Sequence, residues 1–125
     1  MSQSVNLHEY QLYHKKCELL LKLPEIRFAG FLNSMGNLIA GGFKEGVIPL
    51  DDESERQKLH IETVLRERME EEFNYDLGSI FYSATRRNKV VTFTFPVNGN
   101  VLFVSTQLYV DIEKIANKII KISGI

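Results

Sequence analysis

The sequence predicts an α/β (α+β) three-layer sandwich: one five-stranded antiparallel sheet with helices on both faces, in the order α-β-β-α-β-β-β-α. Three observations lead there. Segments whose apolar residues recur at helical spacing alternate with short runs rich in β-branched and aromatic residues. The strand-like runs that follow one another directly are separated by tight polar turns, which makes them antiparallel neighbours. Val101-Leu102-Phe103-Val104 is apolar at both parities, the pattern of a central strand covered on both faces.

From Val5 to Leu23, Tyr10, Tyr13, Cys17, Leu20 and Leu21 recur at helical spacing, and Pro24 closes the segment by restricting the residue before it. Ile26 to Asn33 reads as a strand, Ser34-Met35-Gly36-Asn37 supplies turn chemistry, and Leu38 to Phe43 reads as the antiparallel partner. A loop from Lys44 to Leu50 carries Gly46 and Pro49. Asp51, Asp52, Glu53 and Glu55 then crowd the start of a long helix, where the macrodipole favours negative charge. That helix is expected to run to about Phe73, burying a stripe of Ile61, Val64, Leu65, Met69 and Phe73. Glu62, Arg66 and Glu70 stand four apart as its solvated ladder.

Leu77 to Thr85, Val90 to Phe95 and Val101 to Ser105 are the remaining strands, separated by Arg86-Arg87-Asn88-Lys89 and Val97-Asn98-Gly99-Asn100. A final helix from about Asp111 places Ile112, Ile115, Ala116, Ile119 and Ile120 on one side and Lys114, Lys118 and Lys121 on the other. No repeat, linker or low-complexity stretch interrupts the chain, and residues 1–125 are read as a single domain.

Composition narrows the function classes. With 44% hydrophobic and 25% charged residues the chain is an ordinary globular mixture. Its net charge of -1 lacks the basic excess that phosphate-backbone binding requires, so nucleic acid is not expected as a partner. A single cysteine, Cys17, rules out an intrachain disulfide and a thiolate cluster for zinc or iron-sulfur, and fits a reducing compartment. Met1-Ser2-Gln3-Ser4 has no basic n-region followed by an apolar run, and Ile115 to Ile125 is too short and too lysine-studded to span a bilayer. A cytoplasmic protein without a membrane partner is expected.

No pattern of catalytic residues stands out. There is no Ser-His-Asp order and no HExxH pair, and no cofactor or metal is expected. His14 and Cys17 lie three apart on helix one and could supply two ligands, or a thiol beside a base; a packed cysteine with His8 and His14 on the surface is the simpler reading. Gly41, Gly42 and Gly46 match neither the P-loop nor the dinucleotide fingerprint. Arg68 and Glu72 fall inside the apolar stripe of the long helix, either as a polar site at a subunit or partner interface or as a rim pair beyond the sheet. Arg86, Arg87 and Lys89 concentrate positive charge on a tight hairpin, a grip for an anion or an acidic partner, or simply a solvated turn.

The element order and the hairpin Phe31-Leu32-Asn33-Ser34-Met35-Gly36-Asn37-Leu38-Ile39-Ala40 resemble the roadblock/dynein light chain family and its profilin-like and longin relatives. Ile39-Ala40-Gly41-Gly42-Phe43 and Tyr75-Asp76-Leu77-Gly78 are similar to an uncharacterised family of archaeal single-domain proteins. The roadblock resemblance implies a non-catalytic, homodimeric or heterodimeric scaffold or regulator that binds another protein, with small Ras-like GTPases or motor complexes as the partner classes; a homodimer is expected here. The longer acidic second helix and the Gly41-Gly42 pair depart from the ordinary roadblock pattern.

The resemblance further implies that strands two and three form the sheet's edges. Strand two is guarded by Gly41, Gly42 and Lys44. Strand three, uncharged and apolar around Ile80, Phe81 and Tyr82, is an edge that pairing with a second copy would cover. The expected homodimer interface is therefore Ser79, Ile80, Phe81 and Tyr82, with Val64, Arg68 and Glu72 meeting their symmetry mates over the seam. The alternative is a sensor-type domain holding a small molecule in a pocket against the sheet, lined from eight phenylalanines and five tyrosines.

Overall fold

The structure, a computed structural model, describes residues 6–125; Met1-Ser2-Gln3-Ser4, read above for a targeting signal, and Val5, the expected start of helix one, lie outside the described residues. α1 spans Leu7–Leu20 and starts at Asn6, whose Oδ1 accepts a 2.7 Å hydrogen bond from the Glu9 amide. β1 (Ile26–Leu32) and β2 (Leu38–Phe43) form the first hairpin. α2 (Glu53–Glu70) is capped by Asp52, which accepts from the Glu55 amide at 2.8 Å, with Glu53 and Glu55 in the positively polarised first turn. A 3-10 turn, Glu71–Phe73, and the short α3, Asn74–Leu77, extend it. β3 (Ser83–Arg86), β4 (Val91–Val97) and β5 (Asn100–Thr106) follow, and α4 (Ile112–Ser123) runs from an Asp111 cap to a left-handed Gly124.

The sheet order is β2-β1-β5-β4-β3, antiparallel throughout. This is the expected three-layer arrangement, with strands two and three at the edges. The central β5 serves both layers. Leu102 and Val104 join Phe31, Phe93 and Phe95 beneath α1 and α4, while Val101 and Phe103 join Phe28 and Leu32 beneath α2. Tyr13 stacks on Phe31 with ring centroids 4.0 Å apart, and Asn100 donates to its hydroxyl at 3.1 Å.

α1 approaches β2 closely because Gly41 allows it. Its φ is +98°, and a Cβ there would lie 2.1 Å from the Ala29 carbonyl oxygen and 2.8 Å from Cys17 Sγ. Cys17 is buried in this contact.

Two expectations need correction. The third strand is not Leu77 to Thr85, since the chain stays helical through Leu77, turns at Gly78 with φ +87° and pairs with β4 only from Ser83 onward. Pro96 supplies the reason. Asn98-Gly99 is a two-residue hairpin loop that pairs Val97 with Asn100, so Thr92, Thr94 and position 96 turn their backbone groups toward β3. Proline has no N–H to offer where Phe81 would have paired, and the ladder stops.

Of the apolar stripe expected on the buried face of α2, only Val64 is buried. His60, Thr63 and Val64 face the sheet, while Ile61, Leu65, Met69 and Phe73 face outward.

Candidate functional site

The outward face of α2 is more apolar than the inward one. His60, Thr63 and Val64 are buried, yet Leu65, Met69 and Phe73 remain 49%, 64% and 54% exposed. The β1–β2 turn fixes this rotation. A Cβ on Gly36 would lie 2.8 Å from the Ile61 Cα, and the Arg68 guanidinium donates to the Ser34 carbonyl at 2.9 Å. The turn and the helix therefore lock edge to edge, with exposed Met35 at the turn's tip.

β3 lies along the second half of α2 across a shallow polar groove lined by Arg66, Glu67, Glu70, Ser83 and Thr85. Partial burial there, with Glu71 and Glu70 nearby, raises the pKa of Glu67. All four β3 residues are exposed, so its outer edge is open.

The expected interface residues scatter around this region. Arg68 and Glu72 are exposed on its surface, and Arg68 holds the β1–β2 turn rather than Glu72. Val64 is packed into the core beneath α2, which leaves it little surface for a partner. Ser79, Ile80 and Phe81 belong to the loop before β3, where Phe81 is 83% exposed. Tyr82 turns inward against Phe93 and Phe95, and its hydroxyl bonds to the Glu113 carboxylate.

A second feature lies at the other end of α2. A cavity of about 490 Å³ opens between its first turns, the sheet face and the β3–β4 hairpin. Phe28, Phe43, Leu59 and Phe103 supply apolar surface, and Arg27, Arg56, Arg87 and Lys89 surround it, with Asp51 and Glu55. Arg56 is neutralised by Asp51 at 2.9 Å and stacks over the Phe43 ring at 4.9 Å. Arg27 donates to the Ile48 carbonyl, and Glu55 pairs with Lys58. His60 stands in the wall between Phe28 and Phe103, its Nε2 buried without a hydrogen-bond partner. Burial, reinforced by the Arg56 charge and opposed by Asp51, holds its pKa below 6.5.

The basic hairpin divides between these surroundings. Arg86 is a staple rather than a ligand grip, donating to the Leu108 and Val110 carbonyls at 2.6 and 2.9 Å. Arg87 and Lys89 stand at the cavity. His14 and Cys17 point apart: His14 is exposed beside Glu18, and Cys17 faces the sheet near the Ala40 carbonyl. Among the described residues, no three His, Cys, Asp or Glu side chains gather as a metal site, and no helix is long and apolar enough to cross a membrane.

Sequence reasoning missed the cavity residues Arg27, Arg56 and His60. Arg56, His60, Thr63 and Glu67 do share one helical face, but it is a polar one, and the more apolar face drew the assignment instead.

The fold is that of roadblock domains. The gliding protein MglB from Thermus thermophilus superposes with a TM-score of 0.74 at 12% identity, covering 98% of this chain and 90% of that one. An MglB with a tetrameric arrangement gives 0.71 at 10% identity, covering 98% and 96%. A Roadblock/LC7 domain from Streptomyces avermitilis gives 0.66 at 11% identity, covering 89% and 91%. At these identities the likeness is one of fold. No curated protein matches the sequence. The sequence itself matches a family pattern from residue 2 to residue 125, and by that match the chain belongs to the family of unknown function DUF6659.

Proposed function

We propose that the protein is a non-catalytic homodimeric scaffold or regulator that joins two copies along α2 and presents their combined surface to another protein. The observation that carries this reading is the inversion of α2, which leaves Ile61, Leu65, Met69 and Phe73 outward. Contiguous exposed apolar surface of this kind is uncommon on monomers and marks association. β3 runs beside it with an open edge, so one twofold axis can serve the helix stripe and the strand together. Phe81 and Ile80 in the preceding loop, with Arg68 and Glu72 on the helix, then flank the seam. By analogy of fold, the partner is a small Ras-like GTPase.

The test is Met69→Lys, read by multi-angle light scattering over a dilution series. Removing on the order of 100 Å² of apolar surface from water contributes about 2–3 kcal/mol per side chain. Symmetry places the substitution on both sides of the seam, so the dimer should weaken by roughly a thousandfold or more. Because Met69 faces away from the core, the thermal transition of the subunit should stay cooperative. A wild-type monomer at micromolar concentration, or an unaltered dimer in Met69→Lys, would overturn the assembly.

A further inference from the structure

We propose that the cavity between α2 and the β3–β4 hairpin binds a small organic anion with an aromatic body. Its volume of about 490 Å³ lies within the range of small-molecule sites, and its apolar surface is largely phenylalanine, suited to stacked or edge-on contact with a ring. The charge around it is unbalanced in one direction. Asp51 is taken up by Arg56 and Glu55 by Lys58, whereas among the described residues the side chains of Arg87 and Lys89 have no protein partner. Two unpaired cations beside an apolar hollow select a ligand that is apolar at one end and anionic at the other.

A third observation points the same way. A buried nitrogen without a hydrogen-bond partner is rare and costly, and His60, which lines this cavity, carries such a nitrogen at Nε2. A small rotation of the imidazole toward the cavity would let a polar atom on the ligand supply the missing bond. The site is separate from the α2 seam, so it stands or falls independently of the dimer.

The probes are 8-anilinonaphthalene-1-sulfonate and its uncharged counterpart N-phenyl-1-naphthylamine, titrated against the full chain by fluorescence and calorimetry. The sulfonate should bind one per chain and roughly tenfold more tightly than the neutral probe, the scale of one charge-assisted contact. Arg87→Ala/Lys89→Ala, on an exposed turn, should abolish that preference while neutral-probe affinity holds. Ser105→Trp, which fills the cavity from β5, should remove binding of both. Met69→Lys should leave both unchanged. Equal affinity for the two probes in wild type, sulfonate binding that survives a folded Ser105→Trp, or sulfonate binding lost in Met69→Lys would overturn the site.

Discussion

Raising the pH should destabilise this protein through one thiol. Cys17 lies between α1 and β2, and burial pushes its pKa from 9.0 up to about 12, against a smaller opposing effect of the Phe31 backbone. The sign follows from linkage. The unfolded chain ionises its thiol above pH 9 while the folded chain does not, so stability present below pH 9 is lost between pH 9 and 12. At pH 10 the unfolded state gains about 1 kcal/mol, and the limit beyond pH 12 is about 4 kcal/mol. Urea unfolding of wild type and Cys17→Ala at pH 7.5 and pH 10 isolates this quantity, because tyrosine and lysine titrations common to both proteins cancel. The advantage of wild type over the variant should shrink by about 1 kcal/mol at the higher pH. An unchanged difference would refute the reasoning. So would native-state labelling by a disulfide reagent at pH 8 at the rate of an exposed thiol, since the suppressed thiolate should slow it roughly a thousandfold.

Two further outcomes are expected. His60 is held below its ordinary pKa of 6.5, so its stabilising neutral form is fully present above pH 6.5 and lost as the pH falls below it; thermal melts at pH 5 and 7.5 should show this acid-side loss in wild type and a smaller one in His60→Phe, whose ring can fill the space between Phe28 and Phe103. Gly41→Ala should lose about 3 kcal/mol or more in urea unfolding, from the positive φ and the overlap with the Ala29 carbonyl, and a loss below about 1 kcal/mol would show that α1 can move away freely.

Where the determining interactions are local, the sequence was legible. Asp52 and Asp111 sit at the helix starts that the acidic clustering and periodicity indicated, because an N-cap needs only a side-chain oxygen within three residues of the amide it accepts. Asn98-Gly99, with φ of 49° and 81°, closes the β4–β5 hairpin for reasons contained in those two residues. β5 declared its central place by being apolar at both parities, since a strand covered on both faces needs apolar side chains on both.

The rotation of α2 depended on tertiary structure. Its two faces compete for the sheet, and periodicity favours the stripe Ile61, Val64, Leu65, Met69 and Phe73, of which only Val64 is buried. The sheet under it, however, is apolar only along β2, β1 and β5, at Phe43, Phe28, Leu32, Val101 and Phe103; toward β4 and β3 it offers Thr92, Thr94, Ser83 and Thr85. A narrow apolar strip accepts one narrow helix face, and the docking of Gly36 against Ile61 and of Arg68 on Ser34 selects which. The same choice exposes the proposed seam and brings His60 and Arg56 to the cavity beside Arg87, residues far apart in the chain. By itself, therefore, the sequence determined the order of the main elements and where the long helices begin, which depend on neighbours along the chain. Which face of α2 meets solvent, and what gathers beneath its first turns, was decided by packing between elements.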